Sequence, residues 1–210
     1  MKNLRSEIIK YSKMLNSKKL SALRSGNISS RYKDGFLITP SGKKYSALKN
    51  NDIVFVSLKG YFDKKKGIPS SEWKFHQDIY RNKKEAQAIV HSHSTCATAV
   101  STHKKGIPSF HYMVAMAGGH DIKCAKYATF GTRELSKNIL RALKDRKACL
   151  ISNHGQIAFE ESLSKAFELA EEVENISLQY ITSFKLGKPK ILSINEMKKV
   201  LSKAKNYKRG

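Results

Sequence analysis

A chain of 210 residues can bury a sizeable core as a single domain, and 40 basic against 17 acidic side chains leave it a formal charge of +23. No apolar run approaches the roughly 18 residues a membrane-spanning helix needs, which excludes such a span. The charge raises nucleic acid as a partner, yet the 32 lysines far outnumber the 8 arginines and form only short clusters such as Lys64-Lys65-Lys66. No zinc-finger spacing or RNA-binding motif accompanies them, so the excess reads as a solvated surface, leaving at most weak, nonspecific nucleic-acid binding.

In chain order, Leu4, Ile8, Tyr11 and Leu15 fall on one face of an N-terminal amphipathic helix, a continuing helical pattern unlike a signal peptide. Arg31 to Pro40, entered through Asp34-Gly35, and Asp52 to Leu58 read as strands. Ser71 to Asn82 reads as a helix with the serines placed to cap its N-terminus. Ala88 to Ser92 is a strand and Cys96 to Ser101 begins a helix. Leu135, Ile139, Leu140 and Leu143 recur at helical spacing within Thr132 to Asp145, as do Phe167, Ala170, Val173, Ile176 and Tyr180 within Leu163 to Phe184. Between them, Ala148 to Ile151 is a short apolar strand. Helices alternating with strands predict an α/β layer architecture. The cysteines, Cys96, Cys124 and Cys149, are odd in number and widely spaced, which suits a reducing compartment and predicts a cytoplasmic protein.

The chemistry concentrates in His91-Ser92-His93, at the end of the run Ala88-Ile89-Val90. Alternate residues of a strand share a face, so both imidazoles aim at one point. A third histidine, in Ser152-Asn153-His154-Gly155, also follows an apolar strand, and Pro69-Ser70-Ser71-Glu72 offers a carboxylate. A lone histidine is usually a surface or core residue, but three with one carboxylate at strand ends and a helix start suit a divalent metal. Imidazole-rich ligation favours zinc over magnesium or calcium.

These segments resemble the class II aldolase/adducin family over nearly the whole chain, 1–210 being read as one such domain. The resemblance is carried by Gly26-Asn27-Ile28-Ser29, Thr39-Pro40-Ser41-Gly42, Pro69 to Trp73, Ala88 to His93, Pro108 to Gly119, Tyr127 to Leu135 and Asn153-His154-Gly155. It implies a central, largely antiparallel sheet flanked by helices on both sides, and a homotetramer with active sites at subunit interfaces. The implied reaction is reversible cleavage of a ketose 1-phosphate, such as L-fuculose 1-phosphate or a similar deoxyketose 1-phosphate. Its products are dihydroxyacetone phosphate and an aldehyde such as L-lactaldehyde.

The resemblance further implies one Zn2+ per subunit, held by Glu72, His91, His93 and His154, with Glu72 also the catalytic acid/base. Metal coordination would keep Glu72 deprotonated, and release into a partly dehydrated pocket would raise its proton affinity. Gly26, Asn27, Ser41, Gly42, Ser70 and Ser71 correspond to phosphate-contacting positions, each an ordinary turn when taken alone. Ser70-Ser71 also opens a helix, whose dipole favours an anion. Tyr112 corresponds to a proton donor contributed from a neighbouring subunit, and Phe130 and Tyr207 to the aldehyde end of the pocket, Tyr207 from a mobile C-terminal tail. His76, one helical turn after Glu72, stands where a supporting partner would. Relatives that epimerise pentulose phosphates or dehydrate methylthioribulose 1-phosphate are the enzyme alternatives, although the epimerases carry Asp where this chain has Glu72. An adducin-like module without metal would be expected to lose ligands, whereas all four are present.

Overall fold

The computed structural model describes the backbone of residues 2–207 and the side chains of residues 4–204. Its centre is a seven-stranded sheet made of β1 (Asn27–Tyr32), β2 (Gly35–Ile38), β3 (Val54–Ser57), β4 (Ala88–Ser92), β5 (Cys124–Ala125), β6 (Ala148–Ile151) and β7 (Gly155–Glu160). The spatial order is β3-β2-β1-β4-β7-β6-β5, with every neighbouring pair antiparallel except β5 and β6. The helices are α1 (Lys2–Ser17), α2 (Trp73–Asn82), α3 (Thr95–Thr102), α4 (Arg133–Ala142), α5 (Leu163–Ser183) and α6 (Ile194–Tyr207).

Strand alternation divides the apolar side chains between two cores. Ala88, Val90, Leu150 and Ala158 join Ile8 and Leu15 of α1, Ala97 of α3 and Phe167 and Val173 of α5 on one face. Ile89, Ile151, Ile157 and Phe159 join Phe75 and Ile79 of α2 and Leu135 and Ile139 of α4 on the other. The result is the expected α/β architecture, with helices on both faces of a largely antiparallel sheet. At its centre, β4 pairs with β1 and β7, so both neighbours hydrogen-bond the strand that carries His91. Among the described residues no helix is long and apolar enough to cross a membrane.

Several local expectations are corrected. The strand expected over Arg31 to Pro40 is a hairpin reversing at Lys33-Asp34, where Lys33 takes a positive φ of 51° and Tyr32 pairs with Gly35. Helix α2 starts at Trp73 rather than Ser71, and its N-cap is Glu72, whose carboxylate makes no capping bond because it turns into the interior. The β7 strand was hidden in the sequence because it is buried on both faces and so lacks alternation, while Gln156 and Glu160 interrupt its apolar run. The chain near the C-terminus forms α6, anchored by the fully buried Met197. The side chain of Tyr207 lies outside the described residues.

Candidate active site

The end of β4 is the floor of the site. His91 is fully buried, and its Nδ1 donates to the Gln156 carbonyl at 2.7 Å. A carbonyl only accepts, so Nδ1 carries a proton, and Nε2 is the ring nitrogen turned toward Glu72 and His93. His93 follows two residues later, its backbone N–H donating to Ser21 Oγ at 3.1 Å, and its Nε2 lies 3.0 Å from His91 Nε2. His154 arrives on the three-residue turn between β6 and β7, made possible by Asn153 at a φ of +53°. The three imidazoles stand mutually edge-on, with centroids 4.8–4.9 Å apart.

Glu72 closes the cluster from the start of α2. Its Oε2 lies 3.2 Å from His91 Nε2, and its Oε1 lies 3.2 Å from His154 Nε2. One potential ligand atom from each of Glu72, His91, His93 and His154 falls within 4.8 Å of the others. Burial pushes the Glu72 carboxyl upward, but the His91 and His154 imidazoles outweigh it and hold the group far below the usual carboxylate range. Burial, followed by the neighbouring His91 and His154, pushes His93 down to about 3. Among the described residues Glu72 Oε1 is buried without a hydrogen-bond partner, its nearest polar neighbour being His154 Nε2 at 3.2 Å. An orphaned carboxylate oxygen facing three imidazoles fits a divalent cation by donor chemistry, and these four residues are the ones that would hold it.

Two glycines let the strands converge. A Cβ on Gly26, whose φ is +81°, would stand 2.6 Å from the His91 carbonyl oxygen, and one on Gly155 would stand 2.3 Å from that of Ser92. Only a bare backbone fits either place.

Above the cluster opens a cleft of about 360 Å³. Gly26, Asn27, Ser41, Gly42, Ser70, Ser71, Glu72, His93, Phe130 and His154 all line it, with His91 beneath. The small-residue loops are tied together by Ser70 N–H to the Thr39 carbonyl and Ser41 N–H to the Ile68 carbonyl, each at 3.0 Å. The Tyr45 hydroxyl pins the third loop by donating to the Gly26 carbonyl at 2.6 Å. Burial, reinforced by Glu72, pushes the Tyr45 phenol well above its ordinary range and keeps it a donor.

Tyr112 does not line this cleft; it begins the 3-10 turn Tyr112–Ala117 and is 53% exposed. Sequence reasoning missed Arg24, among the described residues the only lysine or arginine lining the cleft, whose Nη1 donates to the Gly42 carbonyl at 2.8 Å. Nothing in the local pattern marks one exposed arginine among 40 basic residues. It also missed Tyr127, an exposed aromatic beside Phe130 in the cleft lining, and the bond from Asn27 Nδ2 to Glu72 Oε2 at 2.9 Å.

Comparison with known proteins agrees with this architecture. Residues 6–181 match the family described as Class II Aldolase and Adducin N-terminal domain. The chain is 49% identical over 183 residues to L-fuculose phosphate aldolase of Escherichia coli, covering 87% of this chain and 85% of that one. It is 44% identical over 204 residues to a 5-methylthioribulose-1-phosphate/5-deoxyribulose-1-phosphate aldolase of Rhodospirillum rubrum, covering 97% and 92%. A solved L-fuculose 1-phosphate aldolase superposes with a TM-score of 0.94 at 36% identity, covering 98% of this chain and 97% of that one. By sequence, by fold and by the family model, the chain belongs to the class II aldolase and adducin N-terminal domain family.

Proposed function

We propose that the protein is a zinc-dependent aldolase that cleaves a deoxyketose 1-phosphate, L-fuculose 1-phosphate or a close analogue, to dihydroxyacetone phosphate and a small aldehyde. One observation carries this reading: three imidazoles and one carboxylate meet at the floor of a cleft whose rim gathers three loops of small, donor-rich residues. Zinc bound by that donor set would supply Lewis-acid stabilisation of the negative charge that develops on the substrate's carbonyl oxygen.

The chain's own groups perform the remaining work. In the direction of bond formation, the Glu72 carboxylate takes a proton from the hydroxymethyl carbon of dihydroxyacetone phosphate. The electron pair left behind forms the new carbon–carbon bond to the aldehyde carbon. The aldehyde oxygen then takes a proton from Tyr112 of a neighbouring copy, and solvent returns the Glu72 proton to that phenolate. The exposure of Tyr112 and its place outside its own cleft support this assignment, and with it a homotetramer whose sites lie at subunit interfaces. Gly26, Asn27 through its backbone, Ser41, Gly42, Ser70 and Ser71 hold the phosphate with backbone and hydroxyl donors, and Arg24 adds a permanent positive charge. Phe130 flanks the aldehyde. Free Cys96, Cys124 and Cys149 support a cytoplasmic location.

The test is release of dihydroxyacetone phosphate from a panel of ketose 1-phosphates that includes L-fuculose 1-phosphate and 5-deoxyribulose 1-phosphate. Zinc-loaded and chelator-treated protein are compared. Metal-dependent release is expected, and the best panel member names the aldehyde. Absence of release from every member would overturn the assignment.

A further inference from the structure

Beneath Glu72 runs a chain of buried polar groups that the proposed chemistry does not use. Glu72 Oε2 contacts Asn27 Nδ2 at 2.9 Å, and Asn27 Oδ1 contacts His76 Nε2 at 2.5 Å. His76 Nδ1 contacts Ser29 Oγ at 2.7 Å, and Ser29 Oγ contacts the Tyr80 hydroxyl at 2.8 Å. All five side chains are buried, His76 completely.

The direction of every bond follows from the charge at one end. An ionised Glu72 only accepts, so Asn27 must present its NH2 to Glu72 and its oxygen to His76. That oxygen only accepts, so His76 carries its proton on Nε2. Burial, followed by the neighbouring His91, pushes the pKa of His76 down to about 3, so the ring is neutral and Nδ1 is bare. Ser29 therefore donates to Nδ1 and accepts from Tyr80. Burial keeps the Tyr80 phenol protonated by pushing its pKa well above the ordinary range, and Arg31 sits 4.9 Å over the centroid of its ring. The ring of His76 is clamped by Phe75 and Phe36, at centroid distances of 4.8 and 6.4 Å.

We propose that His76 is a positioning residue: by holding Asn27 in one amide orientation it aims a donor at Glu72 and presets the carboxylate for the metal. Reversing the Asn27 amide would set its oxygen against the carboxylate and leave two acceptors facing each other in a buried site. His76 does not exchange protons with substrate. The inference rests on reading Glu72, His91, His93 and His154 as a metal site.

The experiment measures zinc affinity, which is independent of turnover, by competition with a chromophoric chelator. It compares the wild type, His76→Phe, His76→Gln, Asn27→Ala and the double variant Asn27→Ala/His76→Phe. The phenyl ring suits the aromatic clamp but offers no donor, whereas glutamine restores one donor and one acceptor. His76→Phe is expected to weaken zinc binding about 10- to 100-fold, and His76→Gln to recover most of the loss. In the Asn27→Ala background His76→Phe is expected to change affinity by less than about twofold, because the residue through which it acts is gone.

A wild-type affinity in His76→Phe, or an equal loss with and without Asn27, overturns the inference while leaving the metal site standing. Failure of the wild type to bind zinc overturns both. Nitrogen-15 NMR of the imidazoles in wild-type protein provides a check that does not depend on a variant folding. The Nε2–H tautomer of His76 should persist from pH 5 to pH 8, and the Nδ1–H form would overturn the assignment.

Discussion

Gly155 meets the end of β4 so closely that a Cβ on it would lie 2.3 Å from the Ser92 carbonyl oxygen and 3.1 Å from His93 Cδ2. Its neighbour His154 contributes to the cluster, so this contact sets the distance between the two histidine-bearing strand ends. Gly155→Ala must push them apart. The expected outcome is a loss of about 1–3 kcal/mol in stability, read by denaturant unfolding, with zinc binding weakened by more than about tenfold. Unchanged affinity would show that the strand ends tolerate the displacement.

Glu72→Gln keeps the size and most of the polarity of the side chain while removing its charge and its capacity to take a proton. Folding should persist, and turnover should fall nearly to zero. Zinc content measured on the same preparation separates the two proposed roles. Loss of turnover at full occupancy identifies proton transfer, whereas normal activity would remove Glu72 from the mechanism.

Among the described residues Arg24 is the only permanent cation lining the cleft, and it already reaches the Gly42 carbonyl. Arg24→Ala should raise KM for the sugar phosphate about tenfold with little change in kcat, consistent with loss of one charge-assisted contact to an anion. Inorganic phosphate as an inhibitor should weaken in parallel. A fall in kcat without a change in KM would place Arg24 in some role other than phosphate binding.

Acid should destabilise the metal-free protein through His76. Its pKa falls from an ordinary 6.5 to about 3 in the folded state, so below pH 6.5 the unfolded chain takes up a proton that the folded chain refuses. The stability is thus fully present above pH 6.5 and is lost progressively as pH falls toward 3. From this residue alone the difference between pH 7 and pH 5 is about 2 kcal/mol. Thermal melts of the wild type and His76→Gln across that window should show a shallower slope in the variant, and parallel slopes would contradict the burial of a neutral imidazole.

Much of the site could be read from local pattern because its residues sit at element ends. His91 lies in β4 and His93 just past its end, so the strand's alternation carried one residue further brings them together, and their Nε2 atoms lie 3.0 Å apart. The helix periods of α4 and α5 were legible because each helix buries one face. The same logic failed for β7, which buries both faces, and for the first residue of α2, where Ser71-Glu72 form a turn ahead of the helix while Ser70 Oγ accepts from the Glu72 N–H at 3.3 Å.

The sequence by itself determined the family, the layer architecture and the four candidate ligands, since motif order and periodicity are local and survive without coordinates. Only the tertiary structure decided that Arg24 reaches the same cleft as Ser41, Ser70 and Phe130 and that Tyr112 stays outside it. It also decided that Asn27 joins Glu72 to His76. Those contacts link residues up to about a hundred positions apart through sheet order and loop closure, and no local pattern encodes which distant side chains the folded backbone brings within hydrogen-bond distance.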